Sequence, residues 1–328
     1  MNYLDIRAAA ANVPCDVGLD PDNPASAFGL LLSGLREGIK GALLTIINIE
    51  GGAPRSLGTH MAVLADGRYC GYVSGGCVEA AVAAEAMAVM ARGHDEVLRF
   101  GRNSPFFDIR LPCGGGIDVH VHVNPAPKLL EAAATNLSKR HPFDIALNAA
   151  AGAATIVDAD GAIGSSTFRR RYRPATRLVL IEQGNELAVM ASTARAAGLD
   201  VSAYATGSSA IAAALRVGTP VVEITVADEL PELGIDPWTA VIFLFHDHDS
   251  EAVFLRTALQ SQAFYVGALG SRRTHTERVS RLLAAGLPEE AISRIHAPIG
   301  MIERTREATP LAFSVLADIT RERMRLES

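Results

Sequence analysis

Residues 50–82 read EGGAPRSLGTHMAVLADGRYCGYVSGGCVEAAV. Two β-like runs, His60–Ala65 and Arg68–Val73, flank Asp66-Gly67. Asp-Gly between such runs predicts a hairpin, because both central residues of a type I′ turn need positive φ. Ser74-Gly75-Gly76-Cys77 then turns the chain into VEAAVAAEAMAVMARG, a run of strong helix formers that ends at Gly93, placed to serve as C′. Strand, Gly-Gly turn and helix put Cys77 at or near a helix N-terminus.

Working outward, Gly41–Ile49 is rich in Leu and Ile and reads as a buried strand, preceded by a helix over Phe28–Leu35 that Gly38 closes. Residues 1–24 read as an arm ending in the turn cluster DPDNP. Leu111–Val123, LPCGGGIDVHVHV, alternates apolar and polar residues with period two, a strand. Pro125 and Pro127 close a first domain over 25–125. Residues 126–174 read as a connector, with a hairpin around Asp160-Gly161 and a solvated basic run RRRYR at Arg169–Arg173.

From Arg177 the texture changes. Leu178–Ile181, Val201–Tyr204, Pro220–Thr225, Ala240–Phe245 and Phe264–Leu269 are apolar runs of strand length separated by segments of helix length. That alternation predicts a Rossmann-like, doubly wound parallel sheet over 175–328. Thr309-Pro310 reads as an N-cap and N1 pair opening a last helix. The fold class is thus α/β, an N-terminal α+β domain followed by the Rossmann-like one.

Composition bounds the function. The chain has 328 residues, 49% apolar and 20% charged, with a formal net charge of −6, so a broad nucleic-acid footprint is not expected. Cys15, Cys70, Cys77 and Cys113 form no C-x-x-C pair. Asp5 within the first ten residues and the lack of an apolar run near ~18 residues predict neither a signal peptide nor a membrane span, and the expected location is cytoplasmic.

Several places could carry chemistry. A helix start favours a thiolate at Cys77, but by only ~0.3–1 kcal/mol, less than the ~1.4 kcal/mol of one pKa unit. A cation such as Arg55 would be needed as well; otherwise Cys77 is a small residue packing a tight turn. Cys113 precedes three glycines, which either admit a ligand to the backbone or simply turn the chain. Asp118, His120 and His122 share one strand face, which would suit a metal or plain solvent. His246-Asp247-His248-Asp249 follows the strand VIFLF, where parallel sheets place their ligand crevice. Gly270-Ser271-Arg272-Arg273 combines a glycine turn, a hydroxyl and two guanidinia at a helix start, a phosphate cradle. His296-Ala297-Pro298-Ile299-Gly300 is a rigid turn that could support the same crevice. The dinucleotide fingerprint is damaged: only Gly184 stands in IEQGNEL, Glu182 holds the first glycine position, and no acid follows the next strand to bind a ribose.

GGAPRSLGTHMAV, GYVSGGCVE and Cys113-Gly114-Gly115, followed by FHDHD, FYVGALGSRRTH and HAPIG, together resemble the XdhC/CoxI family across residues 26–322. The resemblance implies an accessory protein of molybdenum hydroxylases such as xanthine dehydrogenase, aldehyde oxidoreductase and CO dehydrogenase. Such proteins bind the molybdenum–pterin cofactor, plain or in dinucleotide form, protect it during sulfuration and insert it into the apo-enzyme. On that reading Cys77, and second Cys113, ligates molybdenum or relays sulfur. Arg55, Ser74, Gly75, Gly76, Gly114 and Gly115 surround the cofactor, with His246, His248, Gly270, Ser271, Arg272, Arg273 and His296 in the Rossmann-like domain. The implied partners are an apo molybdenum hydroxylase and a cysteine desulfurase or other cofactor-maturation proteins; a homodimer is expected of a chain with two such domains. Two departures touch the nucleotide crevice: the family's glycine turn is here Glu182-Gln183-Gly184-Asn185, and MIERTREA replaces an Asp-Ile-Gly element after HAPIG. Ordinary NAD binding is therefore not expected, and a chaperone is favoured over a turnover enzyme. The alternatives are an NAD(P)-linked oxidoreductase using His246 or His248 as acid–base group, and a cofactor-free assembly scaffold.

Overall fold

The computed structural model describes residues 23–76, 78–106, 111, 114–157, 164, 167–182, 186–224, 233–245, 248–302, 305 and 307–327. It divides into two compact units, 1–174 and 175–328.

In the first unit, β1 (Gly41–Glu50), β2 (His60–Leu64), β3 (Tyr69–Gly71), β4 (Glu96–Gly101) and β5 (Gly116–Val123) form an antiparallel sheet in the order β3-β2-β1-β5-β4. The Asp66-Gly67 hairpin is present, but only Gly67 (φ 95°) has positive φ and Asp66 does not, so the turn is not the type I′ expected. Alternate residues of β1 serve opposite faces. Ala42, Leu44 and Ile46 pack under α2 (Glu79–Arg92), whose Val82, Ala86 and Val89 are fully buried. Gly93 ends α2 in the left-handed conformation, φ 83°. Leu43 instead faces α1 (Pro24–Arg36), which Asn23 caps through its side chain.

The segment 126–174 is more than a connector. It contains α3 (Pro127–Ser138) and an antiparallel sheet of β6 (Phe143–Asn148), β7 (Ala153–Val157) and β8 (Phe168–Tyr172), with β6 central. Phe143, Ile145, Leu147 and Tyr172 share the core of α1. The basic run RRRYR is β8 and its end: Tyr172 is buried and stacks on Phe143 at 4.5 Å. Asp144, fully buried on β6, accepts a 2.9 Å hydrogen bond from Arg173 Nη1. Ile156 and Val157 pair with β6, and β8 lies on the other side of β6, so the turn expected at Asp160-Gly161 does not join β7 to β8 as a hairpin; Asp160, Gly161 and Ile163 themselves lie outside the described residues.

In the second unit, β9 (Arg177–Glu182), β10 (Asp200–Ala205), β11 (Val221–Glu223), β12 (Thr239–Leu244), β13 (Tyr265–Ala268) and β14 (Ile295–His296) form a parallel sheet ordered β11-β10-β9-β12-β13-β14. Counted from β9, this is the 3-2-1-4-5-6 order of a dinucleotide-binding fold. Both faces are covered, which explains the near-continuous apolar strands. Leu178 and Leu180 meet α4 (Glu186–Ala196) and α9 (Ala308–Glu327). Val179 and Ile181 share a core with α6 (His248–Gln260), α7 (Arg272–Ala284) and α8 (Glu289–Ile292). Among the described residues the remaining helix of this unit, α5 (Ser208–Arg216), precedes β11.

Candidate functional site

The Ser74-Gly75-Gly76 corner is folded around a carboxylate. Glu79, in the first turn of α2, is buried, and its Oε1 accepts from the backbone N–H groups of Val73 (3.0 Å), Ser74 (2.7 Å) and Gly75 (3.2 Å). Its Oε2 accepts from Val78 N at 3.1 Å, and Ser74 Oγ donates to the carboxylate at 2.9 Å. Those amides are thus committed within the protein. Gly75 and Gly76 have φ of 100° and 108°, conformations that a side chain rarely adopts. Glu79 was not singled out in the sequence, although a Glu in the first turn after a Ser-containing corner is a helix-start signal. Glu79→Gln would turn an amide N–H toward these donors. It is expected to lower the stability of the first unit by about 1–3 kcal/mol, read as a fall in urea midpoint. Cys77, between this corner and Val78, lies outside the described residues, as does Cys113.

The two glycine runs of the first unit meet. A Cβ on Gly115 would stand 1.9 Å from Gly52 O and 2.8 Å from Glu50 O, so glycine there admits the neighbouring backbone. Gly114 has φ 68° and donates its N–H to Leu111 O at 3.0 Å. Arg55 lines a small cleft on the α1 side with Asn23, Gly58, His60 and Arg170, whereas Ser74–Gly76 lead into α2 across the sheet.

On the α1 side, His60 and Tyr172 form a buried hydrogen-bonded pair, Nε2 to hydroxyl. His60 Nδ1 also lies 2.8 Å from Thr45 Oγ1. Burial first, and the Arg170 guanidinium second, push the His60 imidazole down to about 3.

The strand face expected to suit a metal or plain solvent is arranged differently from the expectation. Asp118 points to Arg99 (3.1 Å) and Asn48 (2.8 Å) instead of joining the histidines. The carboxylate that meets them is Asp95, from the turn between α2 and β4. Its Oδ2 lies 2.9 Å from His120 Nε2 and 2.7 Å from His122 Nδ1, and Val123 N donates to Oδ1 at 2.9 Å. Although burial opposes it, hydrogen bonds from His122 and Val123 hold the Asp95 carboxyl below its ordinary range. Burial holds His120 below the ordinary imidazole range.

In the second unit a cleft of about 780 Å³ opens at the carboxyl ends of the strands. Glu186 at the start of α4, Leu269–Arg272 after β13 and Pro298–Ile302 after β14 line it, with α9 closing one side. Gly270 (φ 135°) is required because a Cβ would stand 2.7 Å from Thr274 Cγ2. Ser271 is the N-cap of α7, its Oγ accepting from Thr274 N at 3.2 Å. Arg272 lines the cleft, but Arg273 does not: it pairs with Glu277 at 3.0 Å and is 89% exposed.

His296 stands at the end of β14, stacked on Tyr265 at 4.1 Å, and burial lowers its pKa. His248 is the first residue of α6, while His246 and Gln183-Gly184-Asn185 lie outside the described residues. Glu182 ends β9 fully buried.

Two supports of this cleft escaped the sequence reading. Arg278 and Glu251 form a buried two-pronged pair at 2.9 and 3.1 Å, and Arg278 Nη2 also donates to Leu269 O at 2.6 Å. Ser314 Oγ in α9 accepts from Ile302 N at 2.7 Å. Neither leaves a local sequence signal, since each partner is distant in the chain.

The chain is similar to known proteins over most of its length. The profile described as the XdhC and CoxI family matches residues 35–101, and that of the XdhC Rossmann domain matches residues 178–319. The chain is 36% identical to the molybdenum cofactor insertion chaperone PaoD of Escherichia coli, over 93% of this chain and 91% of that one. It is 25% identical to a Bacillus subtilis protein described as a probable subunit of xanthine dehydrogenase, over 91% and 98%. A crystal structure described as a xanthine dehydrogenase from Bacillus halodurans shares the fold, with a TM-score of 0.70 and 19% identity over 91% of this chain and 96% of that one. The chain therefore belongs to the XdhC and CoxI family.

Proposed function

We propose that this protein is a molybdenum-cofactor insertion chaperone. It binds the molybdenum–pterin cofactor as cargo, shelters it while its terminal sulfur is installed, and delivers it to an apo molybdenum hydroxylase. The observation that carries this reading is the 36% identity with PaoD over nearly the whole of both chains. The cleft at the carboxyl ends of the parallel strands supports it, since a volume of about 780 Å³ falls in the range of cofactor sites. On this reading Gly270, Ser271 and Arg272 receive the cofactor's phosphate at the start of α7, where backbone N–H groups and a guanidinium favour an anion. Cys77, and second Cys113, supplies a soft thiolate to molybdenum or relays sulfur received from a desulfurase. The protein acts in the cytoplasm as a homodimer.

The test is to purify the chain from cells with the cofactor pathway intact and to quantify bound molybdenum and pterin. Cys77→Ser is expected to lower both, together with activation of a client apo-enzyme, and Arg272→Ala to lower pterin retention. Full cofactor and full activation in both Cys77→Ser and Cys113→Ser would remove the thiolate role. A wild-type protein that activates its client without ever carrying molybdenum or pterin would remove the cargo reading.

A further inference from the structure

We propose that Asp95, His120 and His122 form a binding site for a divalent ion of the zinc type, separate from the molybdenum cargo. His120 and His122 are alternate residues of β5 and so project from the same sheet face. Asp95 reaches them from the turn that Gly93 makes possible at the end of α2. His120 Nε2, His122 Nδ1 and a carboxylate oxygen of Asp95 all lie within 4.8 Å of one another. Ligands around a tetrahedral zinc stand roughly 3.3 Å apart, given bonds of about 2.0–2.1 Å. Closing this triad on a metal therefore lengthens the two carboxylate–imidazole contacts of 2.9 and 2.7 Å by roughly half an ångström and draws the two imidazole nitrogens, within 4.8 Å, together by up to about 1.5 Å.

The second observation is electrostatic. Asp95 keeps only 5% of its side chain exposed, beside His120 at 1% and His122 at 8%. Its polar contacts among the described residues are the two imidazoles and the Val123 amide, with no Lys or Arg. A carboxylate taken out of water needs a counter-charge, and neither imidazole is a fixed one. A divalent cation supplies it at the point where the three groups converge. Val123 N holds Oδ1 and turns Oδ2 toward both rings, the kind of outer hydrogen bond that orients a metal ligand. The donor set of two imidazole nitrogens and one carboxylate oxygen suits a borderline divalent ion better than calcium or magnesium. The exposed turn Ala150–Gly152 passes over Asp95, where a Cβ on Gly152 would stand 3.8 Å from its carboxyl carbon.

The full-length protein, stripped with a chelator, is titrated with Co²⁺ and then Zn²⁺. One cobalt ion per chain is expected, with a visible ligand-field band, no thiolate charge-transfer band, and loss of the band on adding Zn²⁺. Asp95→Asn and His122→Asn are each expected to weaken cobalt binding by roughly a hundredfold or more. His94→Ala, whose side chain is 67% exposed, is expected to leave it unchanged. Absence of the band in the wild-type protein overturns the proposal without reference to any variant. So does a thiolate signature, or an affinity that neither triad substitution moves.

Discussion

Arg278→Ala is expected to lower the unfolding free energy of the second unit by about 3–5 kcal/mol, because it strands the buried Glu251 carboxylate. Arg278 makes the whole of this contact from inside the protein: both it and Glu251 are buried, and its fork meets two carboxylate oxygens and one carbonyl. An exposed pair would be worth no more than about 1 kcal/mol. Arg278→Lys keeps the charge but loses the fork, so its loss should be intermediate. The only tryptophan, Trp238, lies in the second unit and reports its unfolding in urea. An Ala variant whose midpoint stays with the wild type would show that the pair contributes little. The carbonyl that Arg278 holds belongs to Leu269, which lines the cleft immediately before Gly270. Loss of cofactor retention by Arg278→Ala in still-folded protein would tie this support to the cargo site.

The second large effect is acid destabilisation of the first unit through His60. Its imidazole titrates at about 3 in the folded protein, against 6.5 ordinarily. The unfolded chain therefore takes up this proton first as pH falls. Stability from this residue is fully present above pH 6.5 and declines by roughly 1.4 kcal/mol per pH unit from there toward pH 3, about 5 kcal/mol in all. The neutral ring fits its surroundings, since it bridges Thr45 Oγ1 and the Tyr172 hydroxyl. His120, also held below its ordinary range by burial, adds in the same direction. Urea unfolding followed by far-UV circular dichroism between pH 4 and 7, compared with Trp238 fluorescence, isolates the first unit. His60→Gln is expected to flatten the slope by about one proton. Equal slopes in the two proteins would assign the acid sensitivity elsewhere.

The parts of the fold with local causes were legible in the chain. Asp66-Gly67 dictated its hairpin, Gly93 its helix end, and the spacing of apolar runs after Arg177 the parallel sheet. The parts that depend on distant partners were not. RRRYR looks solvated until Phe143 arrives to stack on Tyr172. β4, with Arg99 and Glu96 in a short edge strand, lacks the apolar density of a central one. The histidine face was visible as a period-two pattern, but its carboxylate comes from Asp95, just before the neighbouring strand β4, rather than from Asp118 on β5 itself. The damaged glycine turn at Glu182 removed the usual nucleotide signal while leaving the strand order that normally accompanies it.

The central pairing of the first sheet joins β1 to β5, with Ala42 opposite Val123 and Glu50 opposite Gly116. Hairpins and helices form quickly because their contacts are close in sequence, and such a long-range pairing is slow. As the chain leaves the ribosome, β2, β3 and α2 can form early, but one edge of β1 stays open until β5 has been synthesised. An open, apolar strand edge is a template for association with other chains. The nascent protein is thus most vulnerable to aggregation while residues 51–115 are emerging, and a truncation before Val123 makes that interval permanent.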